Sequence, residues 1–125
     1  MILTTSESHR NCPTGYSVYA LNENFCMFSG DKGTHIFIPD VDFEYVKNEF
    51  QTFYPRVNPL FDELETQIDP TSDNVFDRET CRAIIEKIQQ KLFENESITK
   101  FAQDLVHWLN QRLEYAPYIN FYGNL

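Results

Sequence analysis

Two hydrophobic periods divide this chain. Between Tyr16 and Ile38 apolar residues come in short β-rich runs, and beyond Phe43 they recur every three or four positions. Tyr16–Leu21 reads as a first strand, Asn22-Glu23-Asn24 as a turn, and Phe25–Phe28 as a second strand. Ser29–Gly33 is another turn, and His35–Ile38 a third strand ended by Pro39, completing a three-strand meander. Residues 1–15 fit no clear element. Ile2 and Leu3 suggest a short strand, and Asn11-Cys12-Pro13-Thr14-Gly15 a turn.

After the change of period, Phe43, Val46, Phe50, Phe53 and Tyr54 fall on one face of a helix that Pro55 ends. Asn58-Pro59 then looks like an N-cap with proline at the first helical position, followed by a stripe of Leu60, Phe61, Leu64 and Ile68. Residues 69–74 form a polar loop. Asp77 caps a third helix, with Phe76 and Cys81 spaced as a hydrophobic staple and Cys81, Ile84, Ile85, Ile88 and Leu92 as its core stripe. Residues Asn95–Thr99 hold the cap of a fourth helix, which buries Ile98, Phe101, Ala102, Leu105, Trp108, Leu109 and Leu113. Pro117 stops it, and Tyr118–Tyr122 alternates as a last strand beside one of the first. The expected fold is α+β: N-terminal antiparallel strands, about four helices and a C-terminal strand in one layered domain over residues 1–125.

Length and composition fit that picture. A chain of 125 residues buries a sizeable core without staples, and 42% hydrophobic with 15% aromatic residues is unlike a disordered segment. The start has neither a basic region nor an apolar run of signal-peptide length, so a soluble, cytoplasmic protein is expected. Cys12, Cys26 and Cys81 are odd in number and irregularly spaced. Cys26 and Cys81 sit in apolar patterns and read as buried thiols.

Charge narrows the partners. A net charge of −9 opposes an extended grip on nucleic acid or an anionic membrane and favours a basic partner. Residues 57–77 hold six acids, Asp62, Glu63, Glu65, Asp69, Asp73 and Asp77, and no Lys or Arg, so this segment carries −6 of the −9. On the expected helix Asp62, Glu65 and Asp69 cluster within about 60° on the side away from the apolar stripe. Asp62, Glu65, Asp69 and Asp73, with Tyr45 on the polar side of its own helix, are the expected partner-binding residues.

Catalytic and metal constellations are weak. Asp104 and His107 share an exposed helix face. His9, Cys12, Cys26 and His35 lack a C-x-x-C or H-x-x-x-H pair, and Asp69, Asp73 and Asp77 lack the glycine and terminal glutamate of a calcium loop. No phosphate loop or nucleophile elbow occurs. The expectation is a binding protein without cofactor or metal, not an enzyme.

The short acidic chain, the helix start Phe76-Asp77-Arg78-Glu79-Thr80-Cys81 and the ending Tyr115-Ala116-Pro117-Tyr118-Ile119-Asn120-Phe121-Tyr122-Gly123-Asn124 together resemble bacterial immunity proteins of polymorphic toxin systems, including contact-dependent growth inhibition. That resemblance implies a stoichiometric inhibitor, an antitoxin that blocks a cognate toxin domain. Many such toxins are nucleases with basic substrate surfaces, which an acidic inhibitor covers. Two alternatives stand beside it: an acidic mimic of nucleic acid that sequesters a DNA-binding protein, and a small ligand-binding domain.

Overall fold

The computed structural model describes residues 14–124. The first strand, β1 (Gly15–Leu21), alternates inward Tyr16, Val18 and Ala20 with half-buried Ser17 and Tyr19. It pairs antiparallel with β2 (Ile36–Pro39) on one side and with the last strand, β6 (Tyr118–Gly123), on the other. The main sheet has the order β2-β1-β6-β5, where β5 is Val75–Asp77. The returning strand lies against β1, as the α+β pattern predicts.

Two helices supply the other layer. Helix α3 (Arg78–Gln90) opens where Asp77 Oδ1 accepts from the Thr80 amide at 2.7 Å, and α4 (Glu96–Leu113) where Asn95 Oδ1 accepts from the Ile98 amide at 3.0 Å. Both expected caps are present. The stripes Cys81, Ile84, Ile85, Ile88 and Ile98, Phe101, Leu105, Trp108, Leu109, Leu113 are buried against each other and the sheet. Each fully buried large side chain contributes about 1.5–3 kcal/mol. Phe43, Phe50, Phe76 and Phe121 form an aromatic knot with centroids 4.8–6.0 Å apart. No helix of the described residues is long and apolar enough to cross a membrane.

Five expectations need correction. Phe25–Phe28 is not a strand; Met27 alone bridges to Leu21. Asn22 uses up the local backbone groups, its Oδ1 accepting from the Asn24 and Cys26 amides at 2.8 and 3.1 Å, while Phe25 takes a left-handed φ of 61°. Cys26 is consequently exposed, not buried; Cys81 is buried as expected. The helix from Phe43 to Tyr54 is two short ones, α1 (Asp40–Phe43) and α2 (Lys47–Gln51), separated by a tight turn with Val46 N–H bonded to Phe43 O at 3.0 Å. Leu92 lies beyond the end of α3 and is 96% exposed, so it is no part of the core stripe.

The fifth correction matters most. The acidic helix after Asn58 does not form. Its place is taken by a two-stranded antiparallel hairpin, β3 (Arg56–Asn58) and β4 (Glu63–Glu65). Asn58 turns the chain instead of capping it, its Oδ1 accepting from the Leu60 amide two residues on at 3.1 Å. Asp62 closes the turn with a left-handed φ of 54°, a conformation Asp tolerates better than most residues. A helix here would also put Asp62 and Glu65, and Glu65 and Asp69, at repelling spacings of three and four residues.

Candidate acidic docking surface

The hairpin has two unlike faces. Strand alternation puts Arg56, Asn58, Glu63 and Glu65 on one side, with Arg56 opposite Glu65 and Asn58 opposite Glu63. This side is tied to the body. The Arg56 guanidinium donates through Nη2 to the Val75 carbonyl and lies 4.2 Å from the Phe76 ring centroid and 5.2 Å from that of Tyr54. Asn58 is fully buried. Its Nδ2 donates to both Glu65 carboxylate oxygens at 3.2 Å and to the Asp73 carbonyl at 3.0 Å.

The opposite side carries Val57 and Leu64, directly paired across the strands and 51% and 70% exposed. Phe61 in the turn is 43% exposed. The sequence pattern placed Phe61 and Leu64 in the core, whereas both face solvent.

The loop behind the hairpin is braced by amides. Asn74, fully buried, donates through Nδ2 to the Asp69 and Phe121 carbonyls at 2.7 and 2.9 Å and accepts the Asp69 amide at Oδ1 at 2.7 Å. Asn120 accepts the Asn74 amide at 3.0 Å and donates to Asp73 Oδ1 at 2.7 Å and to the Tyr19 hydroxyl at 3.1 Å. Burial, and next the Asp73 carboxylate, push the Tyr19 phenol above its ordinary pKa.

The expected site residues therefore divide. Asp62 is exposed on the turn, and Glu63 beside it on β4; neither carboxylate makes a hydrogen bond or ion pair among the described residues. Glu65, Asp69 and Asp73 are half-buried and have structural partners: Asn58 for Glu65, the amide and hydroxyl of Thr71 for Asp69 at 2.8 and 2.7 Å, and Asn120 for Asp73. The helical clustering of Asp62, Glu65 and Asp69 is replaced by a turn, a strand and a loop. No Lys or Arg of the described residues forms an ion pair with any of the six acids. Tyr45 lies apart from this segment in sequence, half-buried between α1 and α2, where its carbonyl accepts from Lys91 Nζ at 2.9 Å.

A notch of about 340 Å³ adjoins the hairpin, lined by Leu64, Glu65, Thr66, Gln67, Asp69 and Pro70. A second concavity, about 420 Å³, lies between α3 and α4 over Ile88, Phe93, Ala102 and Val106, with His107 on its edge. His107 is exposed, and Asp104 bonds Lys100 at 2.8 Å. Among the described residues no group of three or more His, Cys, Asp or Glu is placed to hold a metal ion. His9 and Cys12 lie outside the described residues.

Arg56, Val57 and Asn58 were absent from the expected site. The signal that marks them is the alternation Glu63-Leu64-Glu65, a period of two that the leucine's place in a helical stripe obscured. Compared with known proteins, the chain matches no protein-family model, no curated protein and no solved structure.

Proposed function

We propose that this chain is an inhibitory binding protein of the immunity class. It engages a basic partner, a cognate toxin domain, through the hairpin and the loop behind it. The observation that carries the reading is the state of the acids: a segment with −6 of the chain's −9 has no ion pair among the described residues. Its two free carboxylates, on Asp62 and Glu63, stand exposed on a hairpin tied down by Arg56 and Asn58. Such a surface speeds encounter with a positive one and gains charge-assisted contacts on docking. If the toxin is a nuclease, the same surface competes with the phosphate backbone for its basic groove.

The test is affinity capture at low and moderate salt, followed by reconstitution of the complex with the captured protein. A single basic partner at one-to-one stoichiometry, held less tightly as salt rises, supports the reading. Absence of a basic partner at either salt refutes it. The variant to compare is Asp62→Asn with Glu63→Lys, because Asn keeps the left-handed turn and neither carboxylate holds the fold together.

A further inference from the structure

We propose that the outer face of the β3–β4 hairpin is the anchor of the interface. It takes a partner segment in which apolar side chains stand between lysines or arginines. This inference rests on the acidic-docking reading and adds to it the chemistry of the partner's contact segment.

Three observations lead there. Val57 and Leu64 are a directly opposed cross-strand pair, and both point away from the side that Arg56 and Asn58 fasten to the body. On a solvated strand such a pair is ordinarily polar, yet these two and Phe61 are 43–70% exposed. Asp62, in the turn that closes the hairpin, and Glu63, exposed on the strand next to Leu64 but turned to the other face, carry carboxylates with no hydrogen bond or ion pair among the described residues. An apolar centre within a charged margin is the anatomy of a protein contact, where the rim keeps water from the core.

The notch beside Leu64 supplies the third. It is lined by the apolar Leu64 and Pro70 and the acidic Glu65 and Asp69, with Thr66 and Gln67 between them in the chain. A long basic side chain lays its methylenes along such walls and brings its charged head to the carboxylates. A purely phosphate-mimicking surface has no use for an apolar centre, and an anionic bilayer is repelled by the rim. A basic protein segment with interleaved apolar residues satisfies both parts.

Two synthetic peptides of equal charge serve as probes, one alternating leucine with lysine and one alternating serine with lysine. Binding is read by calorimetry and by shifts of the Val57 and Leu64 methyl resonances. The leucine–lysine peptide is expected to shift those methyls and to bind at least tenfold more tightly. Val57→Thr with Leu64→Ser should abolish that advantage while leaving serine–lysine binding unchanged; an intact methyl spectrum elsewhere reports the retained fold. Equal binding of the two peptides to the natural chain overturns the anchor, as do shifts confined to the α3–α4 concavity. If Asp62→Asn with Glu63→Lys weakens both peptides but the apolar variant changes nothing, the anchor alone falls. If neither peptide binds, the acidic reading falls with it.

Discussion

Asn58 is the most informative residue to replace, because one buried amide ties the turn and second strand of the hairpin to the loop behind it. Asn58→Ala removes the donor to Glu65, the donor to the Asp73 carbonyl and the acceptor of the Leu60 amide. A hydrogen bond to a charged group contributes about 1.5–3 kcal/mol and a neutral one about 1 kcal/mol. Glu65 is only half-buried and regains water, so the loss is below the simple sum, about 2–4 kcal/mol. For a chain of this length that is a fall in Tm on the order of 10 °C. Asn58→Asp is nearly the same shape but puts an acceptor where the donor was, against the Glu65 carboxylate and the Asp73 carbonyl. At neutral pH it should destabilise more than alanine. Adding Glu65→Gln should recover part of the loss, and so should acid that protonates the introduced carboxylate. Urea unfolding of the single and double variants measures all of this. An alanine variant within about 0.5 kcal/mol of the natural chain, the spread of ordinary surface changes, refutes the clamp. So does an aspartate variant as stable as the alanine one.

Two further outcomes follow from burial. The Tyr16 phenol is pushed up to about 12 by burial, with Glu44, Asp40 and Asp69 adding to it, and the Cys81 thiol to about 12, again by burial first. Their ordinary values are 10.0 and 9.0, so the unfolded chain gives up these protons first and stability should fall as pH rises from about 9 to 12; alkaline unfolding curves that stay flat across that window would sink the assignment. Leu92→Ser should change stability by no more than about 0.5 kcal/mol, whereas Ile88→Ala, one helical turn earlier and buried, should cost about 2–5 kcal/mol by denaturant titration.

Helices α3 and α4 and the closing strand were legible because their signals agree. In α3 and α4 a cap and an apolar stripe of the right period point to one structure, and in α4 Pro117 marks the stop as well, so the tertiary fold had nothing to override. The errors occur where two local patterns compete. Asn22 and Asn58 both redirect the backbone through side-chain bonds two residues ahead, which no hydrophobic period records. Leu92 continues the α3 stripe by number, but the helix has already ended at Gln90. The loop 69–74 was placed correctly, yet its bracing by Asn74 and Asn120 depends on residues 46 and 47 positions apart and has no local signature.

The residues on which the sequence misled most are also those the proposed interface needs. Leu60, Phe61, Leu64 and Ile68 mimic a buried helical stripe, but only Ile68 is buried. A hydrophobic pattern that folding leaves in water is a local conflict, and such conflicts persist where something outside the chain resolves them. The same is true of the charge. Six acids with no ion pair among the described residues repel one another, and a positive surface relieves that repulsion. Apolar exposure and unpaired charge are costs of different physical origin, yet they coincide on one hairpin whose other face is fastened by a buried asparagine and a stacked arginine. One basic partner with apolar residues in its contact segment removes both costs at once, and neither water nor a purely ionic ligand does so.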